Sequence, residues 1–82
     1  MDKKDVFSGV QEIFSDVFDD PNLIIFDHTN SDVIDEWDSL NHINLVISVE
    51  KRFDIRFMTG EVQALKDVGE MVDLLVEKIG KK

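Results

Sequence analysis

An all-α fold, a small four-helix bundle with three longer helices, one short one and a long first loop, is what three features of this sequence predict. Apolar residues recur at three-and-four spacing in separate stretches near the start, middle and end of the chain. Capping residues stand ahead of the later stretches, and the one apolar run that reads as a strand has no partner strand to pair with. With 82 residues, the chain forms a single domain over 1–82 whose stability rests on one compact core.

The first helix is predicted over about 5–18, where Val6, Val10, Ile13, Phe14, Val17 and Phe18 make one buried stripe with Phe7 at its edge. Gly9 costs it about 1 kcal/mol relative to alanine, which the pattern absorbs. Asp20 before Pro21 is pushed out of the α region and ends the helix. Residues 19–38 then form a long connection that must be packed or functional. Leu23, Ile24, Ile25 and Phe26 read as an extended or single-turn segment closing the core, Val33 and Ile34 as a second contact, and 27–32 as a polar turn between them.

The second helix is predicted from Ser39 to about Phe53, capped by Asp38 or Ser39. Leu45, Val46, Val49 and Phe53 face inward, while Leu40, Ile43 and Ile47 form a second line that remains exposed and sticky. A short helix follows over 59–65 with Thr59 as its cap. Asp67 and Glu70 have the spacing of a capping box, and open a last helix through Met71, Leu74, Leu75 and Ile79, with Val68, Val72 and Val76 alongside. Lys78, Lys81 and Lys82 suit the negative end of its dipole, and the helix frays over 80–82.

Composition narrows the chemistry. Without cysteine there is no disulfide framework, thiolate metal site or cysteine nucleophile, and two histidines make a poor His-rich metal site. The formal charge of −9 excludes nucleic acid as a partner and favours basic ones, since no Lys or Arg occurs between Asp5 and Glu50. No apolar run is long enough to span a bilayer and the first residues lead into an amphipathic pattern, so a cytoplasmic monomer without membrane insertion is expected. Asp27, Thr29 and Ser31 mimic an EF-hand loop, but Asp32 replaces its glycine and Asp38 its bidentate glutamate, and no metal site is assigned.

Ser39 carries the remaining chemistry. His42 lies one turn away, yet so small a fold offers no evident cleft for a hydrolase, no catalytic residue is assigned, and His42 reads as an exposed helix residue. A hydroxyl in a first helical turn suits an attachment point instead, because an appended phosphate would meet free N–H groups and the positive end of the dipole. On the Asp38-Ser39 dipeptide alone, an ordinary cap is the simpler reading.

Asp38-Ser39-Leu40 opening an apolar helix, after an amphipathic helix and a long loop and before Phe53-Asp54-Ile55, a short helix and a last one, resembles the acyl carrier proteins over essentially the whole chain. The resemblance implies that Ser39 carries 4'-phosphopantetheine, donated from coenzyme A by a phosphopantetheinyl transferase. It implies that the arm's thiol holds acyl groups as thioesters for a loading ligase or transferase and for downstream acyl-processing enzymes. Asp38 matches the aspartate that presents the serine to the transferase and its magnesium ion, and Leu40 the apolar residue that packs on partner surfaces.

Two departures stand out. Where fatty-acid carriers are richly acidic, this helix has Asn41, Asn44, Ser48 and Lys51, with only Glu50 retained. Trp37 replaces a small residue and is expected to pin the loop on the bundle. Both suit a specialised carrier, in a secondary-metabolite or polysaccharide pathway, recognised through Asp38, Leu40, Asn41, Ile43, Asn44, Ile47 and Glu50. If cargo is sequestered, its pocket is expected among Val10, Phe14, Leu45, Val46, Val49, Ile55, Leu65 and Leu75, residues whose simpler reading is plain core. The competing readings are a noncatalytic acidic interaction module and a carrier for an activated amino or hydroxy acid.

Overall fold

The computed structural model describes residues 2–80 as four helices, α1 (Lys3–Val17), α2 (Ser39–Phe53), α3 (Thr59–Ala64) and α4 (Val68–Gly80). Lys81 and Lys82, expected at the frayed end, lie outside the described residues. Among the described residues there is no strand, only an isolated bridge between Asn30 and Asp67, so the expected all-α bundle is observed. None of the helices is long and apolar enough to cross a membrane.

α1 packs against α2 and α4. Its stripe of Val6, Val10, Ile13 and Phe14 meets Leu45, Val46, Val49 and Phe53 of α2 and Val68, Met71, Val72 and Leu75 of α4 in one core. α3 contributes no fully buried residue; only the half-buried Val62 packs against the core, and the rest of its placement depends on its ends and on polar ties. The Lys78–Glu61 ion pair (2.7 Å) between α4 and α3 is one such tie, and Lys78 also lies 5.6 Å from the centre of the Phe57 ring.

α1 begins two residues before the predicted start, because Asp2 caps it by accepting from the Asp5 N–H at 2.9 Å. It ends before Pro21 exerts any effect. Asp19 turns into the left-handed region (φ 51°), and the Asp20 N–H closes back onto the Ser15 carbonyl at 3.0 Å. Asp54 ends α2 in the same way, with φ 54° and the Ile55 N–H on the Glu50 carbonyl at 3.2 Å. Gly9 is more than a tolerated weakness. A Cβ there would lie 2.8 Å from Cζ of Phe53, so the missing side chain is what lets α1 approach α2.

The long loop is packed, but by fewer apolar residues than expected. Leu23 is half-buried and Ile25 buried, whereas Ile24 and Phe26 are exposed, as an extended segment must present alternate side chains to opposite sides. Gln11 of α1 holds this segment through both ends of its amide: it donates to the Leu23 carbonyl (2.7 Å) and accepts from the Ile25 N–H (2.9 Å). Ile34 is buried, but Val33 points to solvent, correcting the expected paired contact. Nor is the turn over 27–32 wholly solvated: Thr29 is buried, accepting the Phe26 N–H on its hydroxyl at 2.8 Å.

This loop also closes α4. The Val68 and Gly69 N–H groups, two of the free donors of its first turn, reach the Thr29 and Asp27 carbonyls at 2.9 and 2.7 Å, and Asp67 caps Glu70 at 2.8 Å. Glu70 reaches back to the Lys66 N–H (3.2 Å), one residue beyond the predicted box partner Asp67. A Cβ on Gly69 would lie 2.9 Å from the Asp27 carbonyl oxygen that its own N–H bonds. Gly69→Ala is therefore expected to destabilise the fold by about 1–3 kcal/mol, the usual cost of overpacking, despite alanine's better helix propensity. Urea unfolding followed by helical circular dichroism checks this, and an unchanged or raised midpoint contradicts it.

Candidate functional site

The site is the N-terminus of α2. Asp38, in extended geometry (φ −98°, ψ −174°), is the cap, and its carboxylate accepts the Asn41 N–H at 2.9 Å. Ser39 is thus the first helical residue and not the cap. Its side chain is exposed, and among the described residues no hydrogen bond engages its hydroxyl. With the Asn41 donor taken by Asp38, the N–H groups of Ser39 and Leu40 remain for solvent or an appended anion.

The residues around it fix this end of the helix to the loop. Asn41 donates from its side chain to the Glu36 carbonyl at 2.7 Å. Trp37 is buried, edge-on to Phe14 of α1 with ring centres 5.1 Å apart, and so pins the loop as expected. His42 departs from expectation. It is half-buried, accepting the indole N–H of Trp37 on Nδ1 (3.0 Å) while Nε2 meets the Val62 carbonyl of α3 (2.9 Å). Both nitrogens are engaged, so His42 holds no lone pair ready to deprotonate Ser39.

A shallow groove of about 710 Å³ runs from Ser39 between α2 and α3, lined by Trp37, Asp38, His42, Ile43 and Val62 among others. A smaller, more apolar cavity of about 290 Å³ adjoins it, sharing Ile43, Val62 and Gln63 and adding Val46, Ile47 and Thr59. The residues named for a sequestered cargo are placed differently. All eight residues assigned to it are packed in the core, and only Val46 also lines the apolar cavity, because close packing leaves the space at the α2–α3 edge instead.

The residues assigned to partner recognition separate into two groups. Leu40, Ile43 and Ile47 are 69%, 53% and 44% exposed, and with Asn44 they form an outward face of α2. Met58, 72% exposed at the cap position of α3 that had been assigned to Thr59, is a further large apolar side chain that the periodicity did not single out. Asp38 and Asn41 are occupied in fastening the helix. Glu50 is occupied as well: half-buried, it accepts the Phe57 N–H at 2.9 Å and holds the α2–α3 connection. Among the described residues there is no group of three or more His, Cys, Asp or Glu side chains that could hold a metal ion.

No protein-family model matches the chain. It is 30% identical over 75 residues to the acyl carrier protein of Acidothermus cellulolyticus, covering 92% of this chain and 89% of that one. The solution NMR structure of the holo acyl carrier protein from Geobacter metallireducens matches it with a TM-score of 0.87 at 39% identity, covering 93% of this chain and 87% of the other.

Proposed function

The chain belongs to the acyl carrier protein family, and we propose that Ser39 is where it bears 4'-phosphopantetheine and that it serves a specialised pathway. The single observation that carries the assignment of Ser39 is its placement: an exposed, unbonded hydroxyl on the first residue of α2, at the mouth of the groove. The residues present fit the group, since an appended phosphodiester on Ser39 would lie beside the open N–H groups of Ser39 and Leu40 and the positive helix end. When bound, the arm supplies a terminal thiol that holds acyl groups as thioesters.

The chain's own residues hold and present. Asp38 fixes the first turn while keeping its carboxylate beside the serine, for the transferase and its magnesium ion. Ile43 and Val62 line both the groove at Ser39 and the adjoining apolar cavity, and would border an arm tethered at Ser39. The protein contributes no catalytic group in this reading. Incubation with coenzyme A, magnesium and a broad-specificity phosphopantetheinyl transferase is expected to add one phosphopantetheine per chain by intact-mass analysis. A chain that stays unmodified overturns the proposal.

The specialised pathway is supported by the outer face of α2, which is apolar and amide-bearing, while its single glutamate is spent on the Phe57 N–H. Loading and acyl-processing partners read this face largely through Leu40, Ile43 and Ile47. Ile47→Glu is expected to slow acyl transfer to or from a cognate partner by about tenfold or more, as loss of a central apolar contact does. Asn44→Lys should act in the same direction, with helix content unchanged in both. Transfer rates that match the wild type in both variants refute this surface.

A further inference from the structure

We propose that His42, locked as the neutral tautomer with its proton on Nε2, is a positioning residue that latches α3 to α2 and so sets the groove beside Ser39. The tautomer follows from the two partners. An indole N–H can only donate, so Nδ1 of His42 must accept from Trp37; a backbone carbonyl can only accept, so Nε2 must carry the hydrogen it gives to Val62. Each end of the ring demands the same proton placement. The planes of the Trp37 and His42 rings are inclined by only 21° with centres 6.1 Å apart, the near-coplanar arrangement that the bond between them favours.

α3 is the element that needs such a latch. It has six residues, of which only the half-buried Val62 packs against the core, and a helix of this length cannot hold itself in water. Its last carbonyls lack intrahelical donors, and Val62 carries one of them, accepting from His42 at 2.9 Å as well as from the Leu65 N–H at 3.4 Å. His42 and Val62 both line the groove that starts at Ser39, so the bond between them crosses from one wall to the other. Trp37, anchored on Phe14, fixes the ring from the core side. The relay therefore runs from α1 through the loop and α2 to α3.

Charging the imidazole breaks the relay, because a protonated Nδ1 turns a donor toward the indole donor. Asp38 and Lys66 are the charged residues lining the same groove, while Glu61 of α3 is paired with Lys78 of α4. The consequence for an arm on Ser39 rests on the function proposed above; the latch itself does not.

The unmodified protein tests the latch. Long-range proton–nitrogen NMR correlations of His42 should show the Nε2–H tautomer, and the other tautomer or an even mixture overturns the proposal. His42→Asn keeps an acceptor near Nδ1 and loses the donor to Val62. The amides of Val62 in α3 and of Leu65 just after it should exchange with solvent about five- to tenfold faster, the equilibrium weight of one hydrogen bond. Amides in α1 and α4 should change by less than about twofold, since local opening leaves the core closed; equal acceleration in all helices indicates only global destabilisation and overturns the latch. His42→Gln, whose amide can reach Val62, should restore α3 protection. Failure to restore it counts against the proposal. After phosphopantetheine is attached, the Val62 and Gln63 amides should shift in the wild type and much less in His42→Asn; equal shifts in the two overturn the effect on the groove. A chain that accepts no phosphopantetheine overturns the reading of Ser39 and leaves the latch to stand on the measurements in the unmodified protein.

Discussion

Ser39→Ala is expected to abolish phosphopantetheine attachment completely while leaving the fold intact. The hydroxyl is exposed and unbonded, and the cap is supplied by Asp38, so its removal costs no native interaction. Alanine is the stronger helix former by a few tenths of a kcal/mol, and the thermal midpoint should stay level or rise slightly. Intact mass after incubation with coenzyme A and the transferase is the readout for attachment, with circular dichroism as the control for folding. A variant that still gains the mass places the arm on another hydroxyl and refutes the assignment. The exposed Ser31, which lines the same groove, is the side chain to examine next in that event.

Trp37→Ala is expected to be the most damaging single substitution outside the helices. It removes a buried indole, its edge contact with Phe14 and the donor to His42 together. Truncation of a buried aromatic side chain costs about 3–5 kcal/mol, out of a total stability of only about 5–15 kcal/mol. For a domain of this size, the corresponding fall in thermal midpoint is at least about 12 °C. Trp37→Phe keeps a ring against Phe14 but leaves Nδ1 of His42 without its donor, and is expected to cost about 1–3 kcal/mol. Because Trp37 is the only tryptophan, its fluorescence follows wild-type unfolding directly, and circular dichroism follows the variants. A loss below about 1 kcal/mol for Trp37→Ala contradicts the role of this residue as the anchor of the loop.

Much of this architecture was legible from the spacing of apolar residues. α2 begins and ends where its pattern and caps place it, and its buried positions lie on the predicted inward stripe, whereas Val17 and Phe18 at the end of α1 are only half-buried and α4 buries Val68 and Val72 more fully than Leu74 and Ile79. The start of α1 was not, because Lys3 and Lys4 add no apolar signal and Asp2 acts through a cap bond. α3 was also misplaced at its cap. There the Glu61 carboxylate takes the Met58 N–H at 2.8 Å, so Thr59 is already helical.

The sequence by itself determined an all-helical bundle, an acidic chain and a serine at the head of an apolar helix, because periodicity, composition and caps are local properties that few residues suffice to express. Only the tertiary structure decided what the polar side chains do. Gln11 clasps residues 23 and 25, His42 reaches Val62, and Glu50 turns from a supposed docking charge into a ligand for the Phe57 N–H. A polar residue at a given position reads the same whether it meets water or a partner distant in the chain. The choice rests on which unpaired backbone groups folding brings within hydrogen-bond reach, and on the cost of burying them without a partner.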